Sequence, residues 1–177
     1  QQYTAQGVEF DGAASYLTLN GNLAGAADST KATGSFWFKR AGGTGAVNDI
    51  YDMYSNTTMR FELYFDTSNY IHIVGYASSG PTKEVDINGT TAYTADGTWH
   101  HVAFTFDDSL TCTTGTSNSA GCQIYVDSTA QNVTVTTFQN TNLIDFSVSS
   151  SAKNSIASKY AGGNYYNGAL ADLWFNP

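Results

Sequence analysis

The chain has 177 residues, of which 41% are hydrophobic and only 12% are charged, and it carries a net charge of −8. A chain of this length fits a single domain, residues 1–177, that can bury a substantial core. So acidic a surface, with few Lys and Arg, argues against nucleic acid and anionic membranes as partners, because neither gains counterion release there. No apolar run is long enough for a membrane span, so we expect no membrane insertion.

The composition indicates an all-β protein. Tyr, Phe, Thr, Val and Gly are plentiful in short alternating segments separated by turn residues, and no long segment repeats apolar residues at helical spacing. Uncharged polar residues replace the usual surface charges, as is common in extracellular and virion proteins. Because the chain opens with Gln1 and closes with Pro177, a residue that can begin a linker, we expect it to be part of a longer protein.

Short strands open the chain. The first two are joined by a Gly-Ala-Ala turn, and Asn20 to Lys31 predicts an irregular connection. Thr33 to Lys39 is the next strong strand, and the clearest hairpin joins Met59–Phe65 to Tyr70–Tyr76 across a polar turn. The residues of the first two strands that we expect to face the core are Val8, Phe10, Leu17 and Leu19.

Gly97 to Asp107 has the densest strand signal and predicts the central strand. Val102, Phe104 and Phe106 alternate with polar or small residues, which indicates one buried face. Trp99 falls at a strand start or a bulge. His100 and His101 point to opposite faces of a strand, so they form a poor metal chelate.

The two cysteines, Cys112 and Cys122, flank a Thr, Gly, Ser and Asn segment that is too polar to pack by itself. A disulfide across this loop would stabilise the fold by about 2 to 3 kcal/mol, and two reduced thiols are the alternative. A disulfide places the protein in an oxidising compartment outside the cytosol.

The later segments complete a set of about a dozen short strands. We predict a turn at Asn88-Gly89, a pair formed by Gln123–Val126 and Asn132–Thr136, and a closing strand over Gly168–Phe175. Strands at this spacing, without a helical pattern, predict an antiparallel two-sheet sandwich.

Several segments stand in the order that is typical of laminin-G-like, concanavalin A-like jelly-roll domains, which the chain resembles. They include Val8–Gly12, Gly34–Arg40, Trp99–Ala103, Ile124–Asp127 and Tyr166–Leu173. The resemblance implies two curved antiparallel sheets and a domain that binds glycans, proteins or calcium. The closing run also resembles laminin-G-like modules of bacteriophage virion proteins.

Catalytic patterns are incomplete. The glucanases of this fold carry Glu-x-Asp-x-x-Glu on one strand, but Glu84-Val85-Asp86 has Gly89 at the sixth position, and Glu9-Phe10-Asp11 also lacks the second Glu. No Gly-x-Ser-x-Gly elbow or phosphate-binding Gly loop occurs. We therefore expect no enzyme activity.

Calcium leaves little sequence pattern in such domains, so we assign no cofactor. The pairs that could hold the ion, with solvated turn residues as the alternative for each, are Asp49 with Asp52, Asp66 with Asn69, and Asp107 with Asp108.

Aromatic and amide side chains crowd the last loop, at Tyr160, Asn164, Tyr165 and Tyr166. Tyrosines beside amides suit sugar recognition and protein interfaces, although they also cap cores. We interpret the chain as a lectin-like, non-catalytic module on a virion or other extracellular surface, whose partner is a glycan or a surface protein. Other subunits of a larger assembly are expected neighbours. The alternatives are a purely architectural module and a glycan-degrading enzyme.

Overall fold

The computed structural model describes residues 6–21, 23, 25–55, 58–147, 152–160 and 162–177. These residues form strands and connecting loops, and none of them belongs to a helix that is long and apolar enough to cross a membrane. The strands are β1 (Val8–Asp11), β2 (Leu17–Asn20), β3 (Lys31–Arg40), β4 (Asn48–Ser55), β5 (Thr58–Phe65), β6 (Ile71–Tyr76), β7 (Lys83–Gly89), β8 (Trp99–Asp107), β9 (Cys122–Val126), β10 (Thr129–Ala130), β11 (Val133–Phe138), β12 (Ala152–Ile156) and β13 (Asn167–Asn176).

The strands form two antiparallel sheets. In the six-stranded sheet the order is β1-β13-β3-β8-β9-β10, and in the seven-stranded sheet it is β11-β7-β6-β5-β4-β12-β2. The sheets pack face to face with one apolar interior between them. The predicted all-β, two-sheet jelly-roll sandwich is therefore confirmed.

Alternation along the strands decides which side chains enter the interior. Val102, Phe104 and Phe106 of β8 are at most 3% exposed, as predicted for the central strand. Trp99 is the first residue of β8, which confirms the expected strand start. From the seven-stranded sheet, the Phe61 ring lies 6.4 Å from that of Phe106. Burial of such rings contributes roughly 1.5 to 3 kcal/mol each and fixes the inner faces.

Two further predictions are confirmed. The β5–β6 hairpin pairs Phe65 with Ile71 across the polar turn. Cys112 and Cys122 are joined by a disulfide, with their Cα atoms 5.3 Å apart. The covalent link closes the long loop between β8 and β9, where the intervening polar residues contribute little packing of their own.

The core assignment for the first two strands is wrong at three of four positions. Phe10 is buried, but Val8, Leu17 and Leu19 are each about half exposed, at 51%, 48% and 51%. The reason is topological: β1 and β2 are edge strands of the two sheets, so no neighbour covers their outer sides. Alternation alone cannot distinguish an edge strand from a central one.

The strand pairing proposed after the cysteine loop is also wrong. β9 pairs with β8 and β10, whereas β11 pairs with β7 of the other sheet. Asp127 and Ser128, with positive φ of 50° and 66°, make the tight turn that returns the chain along β9 as β10. Asn88 and Gly89 continue β7 instead of forming a turn, because β11 pairs with them.

Candidate functional site

The outer face of the seven-stranded sheet is acidic. In β5, Phe61 and Leu63 point into the core, so Glu62 and Tyr64 between and after them point outward. The strand register sets Glu62 directly opposite Asp52 of β4. Two carboxylates therefore lie side by side on neighbouring strands.

A shift of register in β4 adds a third carboxylate to this face. Asp49 is paired with Tyr64 and Tyr51 with Leu63, so Ile50 is an extra residue without an opposite partner. Such a β-bulge reverses the alternation, and Asp49 and Asp52 consequently face the same side although an even number of residues separates them. Both are only 1% exposed.

The loop that follows β12 lies against β4 at this point. The N–H of Asp49 donates to the carbonyl of Asn164 at 2.9 Å, and the N–H of Tyr160 donates to Oδ2 of Asp52 at 2.5 Å. Ala157, Tyr160 and Asn164 all have positive φ, which lets the chain turn sharply over the sheet. The loop thereby brings Lys159 to Glu62, with Nζ 3.2 Å from Oε1.

Together these elements form a cavity of about 300 Å³, which we call the acidic groove. Tyr64 and Tyr76 contribute aromatic walls, and the hydroxyl of Tyr76 donates to Oε2 of Glu62 at 3.1 Å. Its lining residues are Val47, Asp49, Glu62, Tyr64, Tyr76, Lys83, Lys159 and Asn164.

Burial strongly perturbs two of the carboxyl groups. Loss of solvent, followed by the charge of Glu62, raises the pKa of Asp49 to about 7. Loss of solvent is also the main cause that raises the pKa of Asp52 to about 8, with smaller contributions from Asp49 and Glu62. Oδ2 of Asp49 and Oδ1 of Asp52 are buried without a hydrogen-bond partner. Unsatisfied buried carboxyl oxygens are costly and are typical of functional sites.

The structure separates the four residues predicted from the last loop. Asn164 lines the acidic groove, and Tyr160 lies beside it, 40% exposed, with its ring 4.2 Å from that of Tyr54. Tyr165 turns away and lies 6.1 Å from Tyr16.

Tyr166 requires a correction. Its side chain is fully buried, next to the ring of Phe65 at 6.3 Å, so it belongs to the interior and offers no surface to a ligand. Burial removes its large apolar ring from water. Tyr166 therefore matches the alternative in which these tyrosines cap the core.

The described residues contain no group of three or more His, Cys, Asp and Glu side chains arranged to hold a metal ion. Asp49 and Asp52 share the region of the acidic groove. In the other two pairs considered for calcium, one member already has partners: Asp66 accepts from backbone amides of its own turn, and Asp107 contacts Lys31 at 3.0 Å.

Sequence reasoning missed six groove residues, which are Val47, Glu62, Tyr64, Tyr76, Lys83 and Lys159. Part of the signal was present, because Glu62 and Tyr64 alternate with the buried residues of β5 and so mark its polar face. Lys159 had no such signal, since its position depends on the path of a loop.

Several solved structures share the fold. A heptameric SAP-like pentraxin from Limulus polyphemus has a TM-score of 0.60 and 14% identity, over 94% of this chain and 73% of its own. The CBM40 module of the Ruminococcus gnavus IT-sialidase, bound to α2,3-sialyllactose, has a TM-score of 0.60 and 11% identity, over 96% and 88%. Mouse laminin α1 domains LG4-5 have a TM-score of 0.60 and 13% identity, over 97% and 41%. Identities this low show the fold alone.

Comparison with curated protein sequences finds no match. The profile of a laminin G family, described as the concanavalin A-like lectin/glucanases superfamily, matches residues 11–176. This span includes every residue of the acidic groove and all of the strands except most of β1. The chain therefore belongs to the concanavalin A-like lectin/glucanases superfamily, as a laminin G-like domain.

Proposed function

We propose that the chain is a non-catalytic extracellular module that binds a glycan in the acidic groove. The observation that carries this proposal is the combination, in one cavity, of tyrosine walls with the buried, unsatisfied carboxyl oxygen of Asp49. Tyrosine rings stack on the apolar faces of sugars, and carboxylates and amides bind their hydroxyl groups. A volume of about 300 Å³ lies at the lower end of the usual range for small-ligand sites.

The similar structures agree with a binding role. The CBM40 module was solved with sialyllactose, and the family is described as one of lectins and glucanases. The disulfide and the laminin G-like fold are consistent with an extracellular domain. We propose further that residues 1–177 act as one module on the surface of a virion or another extracellular assembly, where a surface protein is the alternative ligand.

A glycan array tests the proposal. The protein is compared with Tyr64→Ala and Glu62→Gln, which remove one wall and one charge of the acidic groove. Trp174→Ala is the matched control, because Trp174 is an aromatic side chain that is 53% exposed on the opposite sheet. We expect glycan signal for the wild type and the control, and loss of about tenfold or more for the groove variants. Signal that depends on Trp174 instead would refute the location.

One observation favours the architectural alternative. Leu17 and Leu19 are exposed on β2, an uncharged edge strand whose outer side pairs with no other strand of the described residues. Edges of this kind can pair with a neighbouring subunit. Analytical ultracentrifugation distinguishes the two cases: a binding module stays monomeric when Leu19→Lys is introduced, whereas a subunit that assembles through β2 loses its oligomers.

Another observation favours the enzyme alternative, since Asp52 lies opposite Glu62. Cross-strand neighbours have Cβ atoms about 4.5 to 5.5 Å apart, close to the separation of about 5 to 5.5 Å used by retaining glycosidases. Against it, Asp52 does not line the cavity and is bound by the Tyr160 amide, which leaves it out of reach of a glycosidic oxygen. We expect no release of reducing ends from glycans that bind; release that Glu62→Gln abolishes would establish the enzyme.

A further inference from the structure

Asp49 and Glu62 line the acidic groove, and Asp52 lies beside Glu62 on the neighbouring strand. Asp49, Asp52 and Glu62 are each at most 5% exposed, and their nearest cation, Lys159, contacts Glu62. Lys83 also lines the groove, but its ammonium group is held by Asp86 at 2.7 Å. In the part of the chain that the structure describes, no cation therefore contacts Asp49 or Asp52.

Carboxyl oxygens of these two aspartates also lack hydrogen-bond donors in the described part of the chain. Among the described residues, no group donates a hydrogen bond to Oδ2 of Asp49 or Oδ1 of Asp52, and Asp49 lines the cavity. Burial raises the pKa of both groups, so each holds its proton more readily than an ordinary aspartic acid. A cation that enters the groove would lower both pKa values and ionise the two groups. The titratable groups that face Asp49 are Asp52, Glu62, Tyr64, Tyr76, Lys83 and Lys159.

The tyrosine rings that line the acidic groove are a second feature that attracts positive charge. Tyr64 and Tyr76 line the cavity, and aromatic faces attract ammonium groups while they stack on sugar rings. A carboxylated sugar would meet the opposite situation, because its negative charge would lie beside Glu62 and would oppose the ionisation of Asp49 and Asp52. The groove is therefore poorly suited to acidic sugars such as the sialyllactose bound by the CBM40 module.

We propose that the acidic groove selects glycans that carry a protonated amino group, which is the chemistry of amino sugars without their acetyl group. This inference rests on the proposed glycan-binding function and specifies its ligand. The ligand ammonium supplies the missing positive charge at Asp49, and the sugar ring lies between the tyrosine walls. Lys159 competes with it for the same carboxylates.

Two ligands of equal length separate the amine from the sugar: fully deacetylated chitosan tetrasaccharide and its fully N-acetylated counterpart. Isothermal titration calorimetry at about pH 6, where the amine is protonated, gives both affinities. We expect the wild type to prefer the deacetylated ligand by about tenfold or more. Titrations in two buffers of different ionisation enthalpy should show that binding releases protons, because Asp49 and Asp52 ionise.

Two variants with opposite expected effects on the ligand preference make the test more specific. Asp49→Asn keeps the shape but removes a charge, and it should reduce the preference to within about threefold of unity. Lys159→Gln removes the competing cation, and it should increase the preference even if the first variant fails to fold. Glu9→Gln is the matched control, because Glu9 loses the same charge on the opposite sheet, where its side chain is 79% exposed.

Each other outcome overturns the inference. Equal affinity for both ligands, or preference for the acetylated one, contradicts amine selection but leaves glycan binding in place. Binding of neither ligand overturns it too, and the glycan array then decides whether the proposed function also fails. Binding of tetralysine peptide without binding of the chitosan ligand would identify a protein partner instead.

Discussion

Replacing Asp52 by Asn should stabilise the fold at neutral and alkaline pH. Asp52 is 1% exposed, and Oδ1 has no partner, while Oδ2 accepts from the Tyr160 amide. An Asn side chain keeps one oxygen for that amide and removes the buried charge. Such a gain is opposite to the usual effect of substitutions at buried positions, which makes the prediction specific.

The magnitude follows from the pKa of Asp52. Burial raises it from 3.8 to about 8, so the unfolded chain ionises well before the folded one. Well below pH 4 both states are protonated and the burial has no ionisation cost. As pH rises toward 8 the free energy of unfolding falls by up to about 1.4 kcal/mol per pH unit, or several kcal/mol in all. Because Asp49 and Glu62 relax when the charge is removed, we expect Asp52→Asn to recover about 2 to 4 kcal/mol at pH 8.

Urea unfolding of the wild type and the variant at about pH 4 and pH 8 measures this difference. The variant should match the wild type at the lower pH and exceed it at the higher one. Asp107→Asn is the control, and it should lower the free energy of unfolding at pH 8 instead of raising it. Hydrogen bonds from Ser109 hold the pKa of Asp107 below its ordinary value, so its charged form stabilises the fold. A variant that is less stable at pH 8, or a difference that is independent of pH, would refute the assigned burial cost.

Three further predictions concern the rest of the fold. Arg40→Met should lower the free energy of unfolding by about 3 to 5 kcal/mol in urea titrations, because the buried guanidinium donates four hydrogen bonds whose acceptors would lose their partner; a loss below about 1 kcal/mol would contradict it. Replacing Cys112 and Cys122 by Ser should cost about 3 kcal/mol, since the disulfide closes a loop with a sequence separation of 10; an unchanged melting temperature would count against this. Leu19→Lys should change stability by less than about 0.5 kcal/mol, because Leu19 is 51% exposed, and a larger loss would place it in the core.

The strands whose pattern is set by burial were predictable. β3, β8 and the β5–β6 hairpin each alternate between apolar and polar residues, and the interior selects one face of each. The disulfide was also predictable, because two cysteines flank one polar loop. In these segments the free energy of burying local side chains decides the structure, and the local sequence contains that information.

The predictions that were wrong concern features that depend on residues far away in the sequence. The pairing of β11 with β7, and the edge positions of β1 and β2, follow from the order of strands, which alternation does not encode. Two residues of the acidic groove, Asn164 and Asp49, were among the candidates named from the sequence. Its carboxylates meet because of the bulge at Ile50, and a bulge is visible only against the partner strand.

The most direct test of the central claim is to map a bound glycan by amide chemical shifts. The ¹⁵N-labelled protein is titrated with the glycan that gives the strongest array signal. Binding in the acidic groove predicts that the largest shifts occur at Asp49, Glu62, Tyr64 and Asn164, with little change around Trp174 on the opposite sheet. Shifts that cluster around Trp174, with the groove amides unchanged, would contradict the account.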